Sequence, residues 1–140
     1  NFTDVTLTAL DESDLILLVS TRDLPTLKNV MLSNDVMRSL HYPPEKIRLV
    51  VNRENDKVGL DVSLLEEKLG MAVSYRIPSD GRLVVDSMNQ GIPVVCSAPK
   101  SAITQGFRKM AVDIVGVEAQ SLGARKMSVW PLFRLVRQSE

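Results

Sequence analysis

Polar side chains that could bind a ligand follow three apolar segments of the chain. The segments span residues 15–19, 47–51 and 73–77, and a polar loop follows each of them, at residues 20–24, 52–54 and 78–81. The candidate site residues in these loops are Arg22, Asp23, Asn52, Arg53, Pro78, Ser79 and Asp80. An amide such as that of Asn52 offers a donor and an acceptor together. Each loop also has a plainer interpretation, because Asn favours turns, Asp caps helices and a charged pair suits a solvated turn.

The three apolar segments have the length of strands, and they alternate with helical patterns. Residues 15–19 form an unbroken apolar run, typical of a central parallel strand covered on both faces, whereas residues 73–77 alternate as an edge strand does. Helices are predicted over residues 25–40, 59–70, 80–91 and 100–116. In the third of these Asp80 is the N-cap and Gly91 the end, and Pro93 is expected to force an extended exit. The last helix carries one apolar stripe, formed by Ile103, Phe107, Met110, Ala111 and Ile114.

This order of elements predicts a three-layer α/β fold with a mostly parallel sheet flanked by helices. In a parallel sheet the carboxyl ends of the strands lie at one edge, and ligands of this architecture bind there. The polar loops after the three strands are therefore expected to lie close together.

Composition excludes several function classes. The chain has 140 residues, 44% of them hydrophobic, with 17 basic and 17 acidic residues. Because these charges cancel, no long-range electrostatic attraction to nucleic acid or membrane is expected from the chain as a whole. Its single cysteine excludes an internal disulfide, and Cys96 is expected to be a small buried residue. His41 has no second histidine beside it, so a metal site has no support. Without a signal peptide or an apolar run near eighteen residues, a cytoplasmic location is expected.

The segment that begins at Ile77 resembles a known family. It reads Ile-Pro-Ser-Asp, about ten helical residues, then Asn-Gln-Gly-x-Pro-Val-Val up to Val95. This order resembles the C-terminal half of the ParA/MinD family of P-loop ATPases, and most closely the CpaE/TadZ pilus-assembly branch. The N-terminal residues resemble the helix just after the family's second catalytic strand. The resemblance implies the C-terminal portion of a P-loop NTPase fold, and a chain that is part of a longer ATPase.

The sequence lacks the phosphate-binding part of such an ATPase. A P-loop needs a glycine-rich turn followed by Lys and Ser or Thr, and no such run is present. Lys100 and Ser101 have the last two residue types, but Pro99 precedes them and removes an N–H donor from the cradle. The resemblance implies ATP as the cofactor, with magnesium bound by residues outside this chain. The chain alone is expected to contain no catalytic residue and to be inactive.

The resemblance also implies roles for the loop residues. In the family an asparagine followed by Arg or Lys at a strand end, here Asn52 and Arg53, contacts adenine, and the turn formed by Pro78, Ser79 and Asp80 contacts the base from the other side. Arg22 and Asp23 occupy the loop that the family places at an ATP-dependent homodimer interface. The implied function is an ATPase that positions pilus or secretion machinery. The alternative is a non-catalytic α/β interaction module whose nucleotide site has decayed.

The last twenty residues differ in composition from the rest. They hold four basic residues and one acidic residue, and we interpret residues 1–118 as the ATPase-like domain and residues 119–140 as a basic amphipathic tail. Residues suited to an anionic membrane surface are Trp130, Leu132, Phe133, Arg134, Val136 and Arg137. MinD ends in a basic membrane-targeting helix of similar character. A terminal helix that packs on its own domain is the alternative.

Overall fold

The computed structural model of the protein describes residues 3–55 and 59–116. The chain divides into two compact units, Asn1–Arg108 and Lys109–Glu140. The first unit contains the sheet and the candidate site loops. The described part of the second unit, residues 109–116, consists of the end of the last helix and one further residue. The tail residues named above lie outside the described residues.

The described residues form six helices and three strands, which alternate up to β3 and end with three successive helices. In chain order they are α1 (Asp4–Glu12), β1 (Ile16–Ser20), α2 (Leu24–Ser39), β2 (Ile47–Asn52), α3 (Val62–Leu69), β3 (Val73–Ile77), α4 (Gly81–Gln90), α5 (Val94–Ser97) and α6 (Ala102–Val115). A 3₁₀ turn, Pro44–Lys46, leads into β2. Aspartates cap the starts of three helices, and at α4 the cap is the predicted Asp80. Asp23, Asp61 and Asp80 are the N-caps of α2, α3 and α4, and Gly70 and Gly91 end α3 and α4 in the left-handed conformation.

The three strands form one parallel sheet in the order β1-β2-β3. Ile16 of β1 lies beside Ile47 of β2, and the register continues without a break to Ser20 beside Val51. Between β2 and β3 the register shifts once, after Leu49. The parallel sheet flanked by helices confirms the predicted α/β class. It also brings the carboxyl ends of all three strands to one edge.

Two apolar clusters hold the helices on the sheet. The larger one joins α2, β2 and α3 through Leu27, Val30, Leu49, Val51, Leu65 and Leu69, each less than 5% exposed. The smaller one joins the starts of β1 and β2 to the end of α2 through Ile16, Ile47 and Met37. Burying one such side chain contributes roughly 1.5–3 kcal/mol. Both clusters include residues of β2, so this strand is the best-packed of the three that precede the site loops.

The structure corrects the prediction that residues 15–19 form a central strand covered on both faces. Among the described residues β1 pairs with β2 alone, so it is an edge strand. Leu17 is 37% exposed and Val19 is 53% exposed, whereas Ile16 and Ser20 are buried. An apolar run shows that a strand has apolar side chains to bury, but it does not show which element packs on each face of the strand.

Two further predictions about the second half of the chain are wrong. The segment after Pro93 is not extended, because the short helix α5 follows it at once; proline suits a helix start as well as a strand. Cys96 lies in α5 and is exposed rather than buried. The predicted stripe of α6 is covered only in part. Ile103 is buried, but Ala111 and Ile114 are exposed.

Candidate functional site

Arg22 connects the loop after β1 to the loop after β2. Its Nε donates to the carbonyl oxygen of Leu60 at 2.7 Å, and its Nη1 donates to that of Glu54 at 2.7 Å. The N–H of Leu60 returns a bond of 2.7 Å to the carbonyl oxygen of Arg22. Gly59 allows this close approach, since a Cβ there would lie 2.8 Å from the Arg22 Cβ and carbonyl oxygen. The predicted interface residue Arg22 thus makes its described contacts inside its own unit.

Asn55 connects the loop after β2 to the loop after β3. Its Oδ1 accepts a short hydrogen bond from the N–H of Ser79, and its Nδ2 makes a long contact of 3.5 Å to the Ser79 carbonyl oxygen. Next to this pair, the N–H of Glu54 donates to the carbonyl oxygen of Ile77 at 3.1 Å. The Glu54 carboxylate also pairs with Arg76 at 3.4 Å in a partly exposed position, where such a pair contributes little.

Asn52 lies at the last position of β2, with its side chain half-buried between the two connections. Its Oδ1 accepts from the N–H of Arg53 at 3.0 Å, and Arg53 itself has a left-handed φ of 56°. The local bond is that of a turn-stabilising asparagine. It occupies one lone pair of Oδ1, and no described residue accepts a hydrogen bond from Nδ2. Asn52 can therefore still present both a donor and an acceptor to a ligand.

The turn of Pro78, Ser79 and Asp80 faces the same edge. The backbone of Ser79 is bonded to Asn55, and Asp80 is the N-cap of α4, with its Oδ1 accepting from the N–H of Leu83 at 3.1 Å. Pro78 lies under α6 at a close approach, because a Cβ on Gly106 would lie 3.3 Å from the Pro78 Cδ. Packing and hydrogen bonds thus fix this turn at both of its ends.

Asp23 has a structural role that its loop position predicts only as an alternative. As the N-cap of α2 its Oδ1 accepts from the N–H of Thr26 at 2.9 Å, and its Oδ2 accepts from the hydroxyls of Thr21 and Thr26. The Thr21 hydroxyl, followed by the Thr26 N–H, lowers the pKa of the Asp23 carboxyl. The N–H of Ser63 lowers the pKa of Asp61 in the same way at the start of α3, and the Arg22 charge adds a smaller effect.

The sequence predicts where the three loops of the candidate site lie, but not the hydrogen bonds that connect one loop to another. The three loops lie at one edge, as the strand order predicts. Asn55 was not among the predicted residues, although an asparagine three residues after Asn52 in a strand-end loop is a recognisable turn signal. Its partner in the β3 loop could not be identified from sequence, because their distance depends on how both loops turn.

A cavity of about 430 Å³ lies at the opposite edge of the sheet, near the amino ends of β2 and β3. Its lining includes Asn34, Arg38, Tyr42, Arg48 and Met71. None of the predicted site residues contributes to it. Among residues 3–55 and 59–116, no three His, Cys, Asp or Glu side chains are placed to bind a metal ion. No described helix is both long and apolar enough to cross a membrane.

Neither a family model nor a curated protein matches this sequence, but solved structures match its fold. A ParA family ATPase from Chlorobium tepidum TLS is 23% identical and superposes with a TM-score of 0.73 over 80% of this chain and 46% of its own. The two proteins therefore share an α/β fold. MinD in the MinC:MinD cell division complex of Aquifex aeolicus is 20% identical and superposes with a TM-score of 0.68 over 83% of this chain and 48% of its own. The septum site-determining protein MinD of Pyrococcus horikoshii OT3, solved with Mg-ADP, is 18% identical and superposes with a TM-score of 0.64 over 87% of this chain and 48% of its own.

These comparisons establish the α/β fold and how much of the matched structures it covers. The chain spans about half the length of the ParA and MinD structures that it matches. The names of the matched structures, ParA and MinD, agree with the family that the segment after Ile77 resembles. The comparisons leave the CpaE/TadZ branch as a prediction.

Proposed function

We propose that this chain is the adenine-side portion of a ParA/MinD-like ATP-binding protein, and that the longer protein is an ATPase of the CpaE/TadZ type. The observation that carries the proposal is the position of Asn52. Its amide lies at the end of β2, at the edge where sheets of this fold bind ligands, and it keeps donor and acceptor capacity. The matched ParA and MinD structures, one of them with Mg-ADP, support a nucleotide as the ligand.

In this proposal the residues present fit one end of the ligand. The Asn52 amide pairs with the adenine edge, Arg53 lies beside it, and the turn of Pro78, Ser79 and Asp80 approaches the base from the other side. The sequence contains no glycine-rich phosphate loop, and the described residues contain no acidic cluster for magnesium. The phosphates and magnesium are therefore assigned to residues outside this chain. Phosphoryl transfer depends on positioning and charge stabilisation by those parts, so the chain alone is expected not to hydrolyse ATP.

The longer protein is proposed to form a homodimer around ATP and to position pilus or secretion machinery. One matched structure is a complex of MinC with MinD, and it supports the proposal that the longer protein binds a partner protein. Arg22 and Asp23 are proposed for the dimer interface through their loop. In the described unit both side chains already form hydrogen bonds that hold that loop in place. They would therefore contribute to the dimer interface by fixing the conformation of the loop. The tail from Trp130 to Arg137 is proposed to bring the otherwise cytoplasmic protein to an anionic membrane.

The substitution Asn52→Ala in the full-length protein tests the adenine site. We expect the affinity for ATP to fall by about 1–3 kcal/mol, since the adenine edge loses its partner, while the fold is retained. Selectivity for ATP over GTP should narrow as well. Isothermal titration calorimetry with both nucleotides measures these changes, and Asn29→Ala, an exposed position on α2, is the matched control. Unchanged affinity and selectivity would make Asn52 a turn residue only, whereas a parent protein that binds neither nucleotide would favour a module with a decayed site.

A further inference from the structure

We infer that Asn55 is a positioning residue of the candidate nucleotide site: its side chain holds the Ser79 turn at a fixed spacing from the Asn52 loop before any ligand binds. The inference rests on the proposed function. The relevant contacts form a loop clamp, defined here as Asn55 with Ser79 together with Arg22 with Glu54 and Leu60. The clamp connects the loops that follow all three strands.

Asn55 forms one half of this clamp. Its two amide atoms face the two backbone groups of Ser79, with Oδ1 accepting from the N–H and Nδ2 near the carbonyl oxygen. A side-chain amide that faces both backbone groups of one residue in this way restricts the distance and the orientation of that residue. Asn55 lies three residues from Asn52, and Ser79 lies in the turn proposed for the other side of the base. The pair therefore determines the width of the slot between them.

Arg22 forms the other half, and the two halves meet at Glu54. The carbonyl oxygen of Glu54 accepts from Arg22 Nη1 at 2.7 Å, while its N–H donates to Ile77 at 3.1 Å. Both backbone groups of the residue before Asn55 are thus used, one toward β1 and one toward β3. Arg22 also bonds to Leu60 on the far side of the same loop. The loop that carries Asn52 is held from both neighbours.

A clamp of this kind acts on binding through preorganisation. Without it, the loops after β2 and β3 would have to be ordered when the nucleotide binds, and that ordering subtracts from the affinity. Asn55 uses its acceptor on Ser79, so its effect on the ligand is indirect. Loss of the clamp should weaken ATP binding about two- to tenfold, less than loss of a direct base contact.

Hydrogen exchange of the Ser79 amide in the full-length protein tests the clamp itself. Asn55→Leu removes both amide atoms at similar volume, so we expect Ser79 to exchange at least several-fold faster. Asn55→Asp keeps an acceptor for the Ser79 N–H and should retain the protection. Asn29→Leu, an exposed asparagine on α2, is the control for the substitution type. Equal Ser79 exchange in the parent and Asn55→Leu would overturn the inference.

Nucleotide titration of the same variants tests the consequence. We expect Asn55→Leu to lose ATP affinity and part of the selectivity over GTP, and Asn55→Asp to keep both, with the thermal midpoints of all variants near that of the Asn29→Leu control. Faster Ser79 exchange with unchanged affinity and selectivity would overturn the positioning role. If the parent binds no adenine nucleotide at all, the proposed function fails and the positioning role fails with it. The exchange data would then still report whether the Asn55–Ser79 bond exists.

Discussion

At the scale of single residues, the carboxyl edge of the sheet is dominated by helix caps. The helices α2, α3 and α4 all begin there, and each has an aspartate at its N-cap: Asp23, Asp61 and Asp80. The free N–H groups of a helix N-terminus attract anions. Because each aspartate binds one of these groups and places a carboxylate at the helix start, the edge offers a ligand polar neutral contacts more than anion sites. This agrees with a role in holding a base rather than phosphates.

The pH dependence of stability should report the Asp23 cap. Hydrogen bonds from Thr21 and Thr26 lower the pKa of Asp23 in the folded protein. Its contribution is therefore complete above the unfolded pKa of about 3.9 and is lost as the pH falls through the lower folded value. Asp23→Asn keeps an acceptor but does not titrate. We expect the difference in unfolding free energy between parent and variant to be constant from about pH 5 to pH 8 and to shrink below about pH 4.

Urea denaturation at a series of pH values measures this difference. The matched control is Asn29→Ala at an exposed position of α2, which removes no titrating group, so its difference from the parent should stay flat over the same range. If the Asp23→Asn difference also stays flat into the acid range, the cap does not depend on the charge.

At the scale of elements, local signals predicted most of the fold. Apolar runs located β1 and β2, alternation located β3, and the pair of Asp80 and Gly91 gave the bounds of α4. Most failures concern what packs on an element rather than the element itself, and the helix that follows Pro93 is the exception. The exposure of Val19 depends on a covering layer that its own strand does not encode. Likewise the contact between Asn55 and Ser79 depends on two loops that are distant in sequence.

The packing of α6 on β3 should be sensitive at Gly106. A Cβ there would lie 3.2 Å from the Ile77 Cδ1 and 3.3 Å from the carbonyl oxygen of Arg76, and a backbone oxygen cannot move aside easily. We expect Gly106→Val to lower the unfolding free energy by about 1–3 kcal/mol through overpacking. Gly81→Val is the matched control, because a Cβ at Gly81 has nothing within 4 Å. Equal denaturation midpoints for the two variants would contradict the close approach.

At the scale of the whole molecule, charge is balanced in total but not in distribution. The chain as a whole has 17 basic and 17 acidic residues, whereas the first 120 residues hold thirteen basic and sixteen acidic ones. The last twenty hold four basic residues and one acidic residue, beside Trp130 and Phe133. A basic, partly apolar segment after a mildly acidic one is the composition on which the proposed membrane binding depends.

We therefore expect the tail to bind anionic lipid, weakly as one copy and usefully as two. Each basic residue near such a surface contributes about 1 kcal/mol, and burial of Trp130, Leu132, Phe133 and Val136 adds a few kcal/mol before ordering costs. Two tails on an ATP-bound dimer gain from effective concentration, which makes membrane residence depend on nucleotide. Co-sedimentation of the full-length protein with anionic vesicles, with ATP at low salt, should exceed that of a variant lacking residues 125–140. Neutral vesicles are the control, and equal pelleting of both proteins on anionic vesicles would leave the tail to pack on its own domain.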